Sequence, residues 1–199
     1  MPTLSNSRIA SVLAPFYAKP TDLLLTQLSQ YLDLLLKWNA HTNLTAIRDP
    51  EEIVRRHFGE SLFVVNHLPF CAILLDLGSG AGFPGLPIQL ALPDLKVTLT
   101  ESQNKKASFL REVVRCLSLE TEVWSARAEM LPASRLFDVV TLRAVDNPQL
   151  ALKLAAQRLV PGGTIAHLTS LGTVGGIEIA IPGSDRALLH LMRPGQDES

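Results

Sequence analysis

Leu74-Leu75-Asp76-Leu77-Gly78-Ser79-Gly80-Ala81-Gly82-Phe83-Pro84-Gly85 decides how the rest of this chain is read. An apolar run ends beside an acid, and glycines follow at positions 78, 80, 82 and 85. A short buried strand that empties into a glycine loop and then a helix places that loop at the ligand crevice of an open parallel sheet. Read from Gly80, the segment satisfies G-x-G-x-x-G, the fingerprint of a dinucleotide site. That fingerprint starts where its strand ends, which here is Gly78. Counted from Gly78 the sixth position is Phe83, and the match beginning at Gly80 carries Pro84 inside the loop. The loop is therefore not read as a dinucleotide site.

Downstream, short apolar runs alternate with amphipathic ones. Strands are predicted over Cys71–Leu77, Lys96–Glu101, Glu122–Ser125, Phe137–Leu142 and Gly163–Leu168. Helices are predicted over Leu86–Leu92, Asn104–Leu117 and Gln149–Leu159. This alternation predicts an α/β fold, a mostly parallel sheet with helices on both faces. Ile177–Ile181 and Ala187–Met192, joined through Pro182-Gly183-Ser184-Asp185, are predicted as an antiparallel pair at the sheet edge. The glycine-rich run Leu171 to Gly176 carries little signal.

Upstream, Leu24, Leu28, Tyr31, Leu35 and Trp38 recur at helical spacing, so a helix with a broad apolar face is expected from Thr21, its cap, to Trp38, with Asn39 closing the pattern. A second helix begins at Asp49-Pro50-Glu51-Glu52, where Asp49 caps, Pro50 takes the first position and Glu52 completes a capping box. Both chain ends read as loose. The expected layout is an N-terminal helical extension over 1–69 packed on a catalytic domain over 70–193, with a disordered tail over 194–199.

Composition narrows the function. With 47% apolar and 19% charged residues in 199, the chain is globular, and its net charge of −1 excludes a protein that coats nucleic acid by bulk charge. Cys71 and Cys116 match no metal-ligand spacing, and the five histidines lack the H-x-x-x-H pattern, so no metal is expected. The first residues carry no cationic segment leading into an apolar block, and no apolar run has bilayer length. The expectation is a cytoplasmic monomer with no membrane contact.

The pattern acid-x-Gly-x-Gly-x-Gly, formed by Asp76, Gly78, Gly80 and Gly82, looks like the cofactor loop of Rossmann-like methyltransferases that use S-adenosylmethionine. That ligand carries a cationic ammonium and sulfonium, so an acid at the mouth of the loop makes electrostatic sense. Glu101, at the end of the second strand, is positioned to accept from two ribose hydroxyls. Leu159-Val160-Pro161-Gly162-Gly163 resembles the turn into the fifth strand of that fold.

From about Leu34 to Leu168 the chain resembles the bacterial ribosomal RNA small subunit methyltransferase G family, also called glucose-inhibited division protein B. The resemblance is carried by Trp38-Asn39, Asn43-Leu44-Thr45, Arg48-Asp49-Pro50, Arg56-His57 and Ser61. It continues through Asp76 to Gly85, Glu101-Ser102, Lys105-Lys106, Phe109-Leu110, Arg127-Ala128-Glu129 and Arg143-Ala144. It implies methyl transfer from S-adenosylmethionine to N7 of one guanosine in the decoding region of 16S rRNA, on free RNA or the small ribosomal subunit. It implies Gly78 and Phe83 at the cofactor loop, Ala128 and Glu129 at the adenine, and Arg143 between the cofactor's methionine end and the base. Arg56, His57, Lys105 and Lys106 become candidates for RNA contact.

Guanine N7 is an acceptor with a free lone pair, so Arg143 is expected to position rather than to move a proton, and no general base is expected. Asp146-Asn147-Pro148-Gln149 is read as a helix cap rather than an amino-methyltransferase motif. After the fifth strand the family carries lysine-glycine, where this chain has Thr169-Ser170. Alternative readings are a methyltransferase of the same fold with another RNA or small-molecule acceptor, and a non-catalytic RNA-binding relative.

Overall fold

A computed structural model describes residues 2–145, 147–170, 172 and 175–195. Seven strands form one sheet in the order β3-β2-β1-β4-β5-β7-β6. They are β1 Ile73–Leu77, β2 Lys96–Thr100, β3 Glu122–Trp124, β4 Phe137–Arg143, β5 Leu159–Thr169, β6 Ile177–Ala180 and β7 Leu188–Met192. β1 to β5 are mutually parallel, and β7 runs antiparallel between β5 and the edge strand β6. The predicted edge pair is therefore present, with its second strand on the inside. β5 starts earlier than expected, because Leu159 already pairs with Phe137, and the Pro161-Gly162-Gly163 turn falls inside it as a register shift.

The chain builds β1, β2 and β3 outward in one direction, then returns to add β4 and β5 on the other side of β1. That reversal opens a crevice at the carboxyl ends of β1 and β4, where the glycine loop, Arg143 and Glu101 all emerge.

Strand alternation sorts the core into two sides. Leu74, Val97, Leu99 and Val139 face one side, with α5 (Gly85–Ala91) and α6 (Asn104–Cys116). The N-terminal helices α1 (Asn6–Leu13) and α2 (Asp22–Asn39) join that same cluster. Leu75, Leu77, Val140 and Leu142 face the other side, covered by α7 (Pro148–Gln157) and by a 3-10 turn at Ala128–Met130. Helices lie on both faces as expected, but very unequally.

Helix α1 corrects the expectation of a loose N-terminus. Ser5 caps it by accepting from the Arg8 amide at 3.2 Å, and Ile9 and Leu13 are fully buried, with Phe16 just beyond. Eight residues do not hold a helix alone in water; packing against α2 and the segment near Gly59 stabilises this one. A Cβ on Gly59 would lie 2.7 Å from the Phe16 ring, so glycine there admits the ring.

α2 runs from its Thr21 cap to Asn39 as expected. Asn39 then organises the next turn: its Oδ1 accepts from the Leu44 and Thr45 amides at 2.8 and 3.1 Å, and its Nδ2 donates to the Thr45 carbonyl at 3.0 Å. The second predicted helix is three pieces: α3 (Pro50–Ile53), a π-helical stretch Val54–Gly59, and α4 (Glu60–Val65). Asp49 caps through the Glu52 amide at 2.8 Å, but the Glu52 carboxylate turns to Arg55 instead of closing a capping box. Asn147 caps α7 through the Leu150 amide, as expected. Asp146, Leu171, Thr173, Val174 and positions 196–199 of the expected tail lie outside the described residues.

Candidate active site

A cleft of about 570 Å³ opens at the reversal point, within the size range of small-ligand sites. Its floor is the loop after β1. Gly78 and Gly80 have φ of +72° and +58°, which L side chains rarely adopt, and a Cβ on Gly78 would meet no atom within 4 Å. The backbone itself is thus presented to the cleft. Glu101 holds this floor from β2: its Oε2 accepts from the Gly80 amide at 3.0 Å and its Oε1 from the Gln103 amide at 2.7 Å. Each carboxylate oxygen retains acceptor capacity for a hydroxyl in the cleft.

Asp76 does not stand at the mouth as expected. It lies beneath the floor, 1% exposed, with Oδ2 accepting from the Gly85 amide at 3.1 Å and Oδ1 from Thr141 Oγ1 at 2.7 Å. Alternation along β1 turns it toward α5, so its carboxylate ties the strand to the first turn of that helix and is absent from the cleft wall. Gly82 likewise serves packing. With φ +93°, its added Cβ would lie 2.5 Å from both Leu86 Cδ1 and Tyr31 Oη.

Tyr31 is the contact that sequence reading treated only as core. Its ring is fully buried among Phe58, Phe83 and Phe109, and its hydroxyl donates to the Ala81 carbonyl in the loop. Burial, then the charge of Asp76, pushes that hydroxyl well above its ordinary pKa of 10, so it remains a donor. Helix α2 thereby grips the loop. Tyr31→Phe is expected to keep the fold and to weaken any ligand resting on the loop about tenfold, from one lost buried hydrogen bond; calorimetric titration with S-adenosylmethionine measures it, and unchanged affinity would remove the grip.

Phe83 precedes Pro84 through a cis peptide bond and stacks on His57 at 4.6 Å between ring centroids and 18° between planes. His57 is presented by the π-helical stretch, whose widened turn is a frequent accompaniment of functional sites. Its Nε2 bonds Thr45 Oγ1 at 2.7 Å, while its buried Nδ1 has no partner among the described residues.

Arg143, at the end of β4, closes this wall. Its Nη2 donates to Glu60 Oε2 at 2.7 Å and to the Arg56 carbonyl at 2.8 Å, and its buried Nη1 has no partner among the described residues. Glu60 is buried and also accepts from Arg56 Nε at 2.7 Å, so one carboxylate is shared by two guanidiniums. Only a four-residue spacing from Arg56 hinted at Glu60.

The other candidates distribute unevenly. Ala128, Glu129 and Lys106 line the cleft; Lys105, exposed on α6, does not. Arg56 lines a separate, smaller cavity. The Ala128 turn is braced by buried Arg158, which donates to the carbonyls of Leu131 at 2.9 Å and Pro132 at 2.8 Å. An arginine beside an apolar helix end was the available signal, and it was missed. Among the described residues no group of three potential metal ligands exists, and no helix is long and apolar enough to cross a membrane.

Two buried groups set opposing pH dependences. Burial pushes the Asp76 carboxyl up from its ordinary 3.8 to about 6, against hydrogen bonds from Thr141, Ser79 and Gly85 and the charge of Arg143. Burial, then Arg143 and Arg56, pushes His57 down from 6.5 to about 3. The raised carboxyl favours folding below its unfolded pKa of 3.8, and that contribution is lost as pH rises through 6. The depressed imidazole favours folding above 6.5, and that contribution is lost as pH falls toward 3. Relative to the parent, Asp76→Asn is therefore expected to gain stability as pH rises from 3.8 to about 6, and His57→Asn to gain as pH falls from 6.5 toward 3. Urea denaturation across pH measures both; differences flat in pH would contradict the burial of these charges.

Sheet order, reversal point and glycine loop together define a protein of the Rossmann-like methyltransferase fold. A solved O-methyltransferase family protein from Burkholderia thailandensis shares it with a TM-score of 0.53 at 14% identity, over 91% of this chain and 75% of that one. A family model for rRNA small subunit methyltransferase G matches residues 24–173, and the chain belongs to that family. Ribosomal RNA small subunit methyltransferase G of Stenotrophomonas maltophilia strain K279a is 46% identical over 141 residues, 69% of this chain and 65% of that protein. The Xanthomonas campestris pv. campestris strain B100 protein of the same name is 40% identical over 163 residues, 81% of this chain and 73% of that protein. The first of these alignments thus spans just under two thirds of the relative's length.

Proposed function

We propose that this protein transfers a methyl group from S-adenosylmethionine to N7 of a guanosine in the decoding region of 16S rRNA, acting in the cytoplasm as a monomer. The observation that carries the reading is the family match over 24–173, which spans every residue lining the cleft, from Leu44 to Leu154.

The residues present suit that cofactor. Gly78 and Gly80 offer bare backbone beneath open space, Glu101 offers acceptors for two ribose hydroxyls, and Ala128 and Glu129 form the wall for the adenine. Arg143 Nη1, without a partner among the described residues, is a donor suited to a carboxylate or a base carbonyl, and His57 Nδ1, likewise without one there, is a further polar contact. Bound S-adenosylmethionine supplies an electrophilic methyl on a sulfonium. Asp76 and Tyr31 hold the loop from below, and Phe83 with His57 forms a flat wall that keeps water away from it.

Guanine N7 carries its lone pair at neutral pH, so no side chain has to remove a proton. His57, held neutral, suits this passive role. The protein's contribution is position: the two reacting atoms must approach to about 3 to 3.5 Å. Lys106 at the cleft, with Lys105 and Arg56 outside it, supplies phosphate contacts for the RNA.

Tritium transfer from labelled S-adenosylmethionine to small subunits or naked 16S rRNA tests this, followed by mapping of the modified nucleotide. Label on one guanosine as 7-methylguanosine is expected. Protein that binds the cofactor yet labels neither substrate would reject the reading.

A further inference from the structure

A second cavity of about 280 Å³ opens beside the cleft and shares Arg143, Ala144 and Val145 with it. We propose that this cavity takes the acceptor guanine, turned out of the RNA, with Arg143 Nη1 donating to its O6 carbonyl; this rests on the methyltransferase reading above.

Position is the first argument. Transfer needs the acceptor nitrogen within about 3 to 3.5 Å of the methyl carbon, so the acceptor must sit in a space that opens on the cofactor cleft. The second cavity meets the cleft at Arg143, Ala144 and Val145, which line both. Ala144 among them has φ +48°, a left-handed conformation uncommon for a residue with a side chain and frequent where function demands it.

The second argument is the unfilled donor. Glu60 and the Arg56 carbonyl take both Nη2 hydrogens of Arg143 and fix the guanidinium plane, and among the described residues buried Nη1 has no hydrogen-bond partner. A carbonyl entering the cavity satisfies it. Guanine presents O6 and N7 side by side as acceptors, whereas adenine presents an amino group in place of O6. A donor committed to O6 alone admits guanine, opposes adenine and leaves the N7 lone pair free.

The third argument is lining. Leu168, Ile181 and Ala187 supply apolar surface for the base, while Ser170 is exposed at the edge and Arg56 is 46% exposed beside it, where a flipped nucleotide's phosphate would pass. In the transfer the N7 lone pair forms the bond to the methyl carbon and the carbon–sulfur pair returns to sulfur. No proton moves; the positive charge passes to the base, and the Glu60 carboxylate lies in the same network to offset it.

Two measurements test this on the full chain. Ser170→Trp fills the cavity from its exposed edge. It is expected to leave the melting temperature and the affinity for S-adenosylmethionine within about twofold, and to lower kcat on small subunits about 100-fold with little change in KM. With the unaltered protein, reconstituted subunits carrying inosine at the target, which keeps O6, are expected to be methylated within about fivefold of the normal rate. Subunits carrying 2-aminopurine, which lacks O6 and keeps N7, are expected to fall at least about 100-fold. Parent-like turnover by Ser170→Trp, or equal rates on inosine and 2-aminopurine, overturns the base cavity alone. Unaltered protein that labels no small-subunit guanosine overturns the methyltransferase reading and this one with it.

Discussion

Replacing Gly82 with alanine is expected to lower the unfolding free energy by about 3 kcal/mol and to abolish measurable binding of S-adenosylmethionine. Two costs combine. A left-handed backbone burdens a residue with a Cβ by roughly 1–2 kcal/mol, and overpacking a filled site by about 1–3 kcal/mol. Here φ is +93° and the new methyl would lie 2.5 Å from Tyr31 Oη and Leu86 Cδ1. Tyr31 has little room to retreat, because Phe58, Phe83 and Phe109 box its ring. Relief must come from the loop, which would move its amides out of place. Gly78→Ala is the control: its φ of +72° imposes the backbone cost, but nothing lies within 4 Å of the added atom. Urea denaturation and calorimetry on both variants separate the effects; equal losses would show that the Tyr31 contact adds nothing.

Glu60→Ala is expected to be the most damaging change outside the glycine loop. Removing one partner of a buried ion pair leaves a charge uncompensated, typically at about 3–5 kcal/mol. Arg143 is the charge left behind, only 14% exposed, with its remaining fixed partner the Arg56 carbonyl. Burial already pulls that guanidinium below its ordinary pKa and Glu60 is the largest influence holding it up, so the pair is matched in function as well as geometry. Methyl transfer should fall with stability, since the Arg143 plane is no longer fixed. Glu60→Gln retains an acceptor and should recover part of the stability. Denaturation and turnover of both variants measure this; a Glu60→Ala protein as stable as the parent would mean that water replaces the carboxylate.

The behaviour of particular residues explains what was readable in advance. Strand and helix positions in the sheet domain were accessible because their patterns are local: apolar runs, caps at Thr21, Asp49 and Asn147, and glycines at the loop. α1 escaped because eight residues with a polar start have no strong periodic signal and depend on partners distant in sequence. The π-helical stretch escaped because Val54–Gly59 satisfies a 3.6-residue pattern well enough, and one widened turn leaves no mark in composition. Asp76 was identified as an important acid, but its direction was misjudged: a residue at the end of a strand points to one face or the other according to register, and here register turns it toward α5.

The candidate site divides in the same way. Gly78, Gly80 and Glu101 were named from motif and spacing, Ala128, Glu129 and Arg143 from the family resemblance, and all line one cleft. Tyr31, Glu60 and Arg158 were not, since each acts across a long stretch of chain: Tyr31 on Ala81, Glu60 on Arg143, Arg158 on the Ala128 turn.

Short-range chemistry along the chain was enough to specify a parallel sheet and a glycine loop at its crevice, because caps, periodicity and glycine torsions operate within a few residues. Which side chains support that loop, how Arg143 is held and where a second cavity opens emerged only when the N-terminal helices packed on the sheet. Those features arise from contacts between segments tens of residues apart, and no local pattern encodes their register.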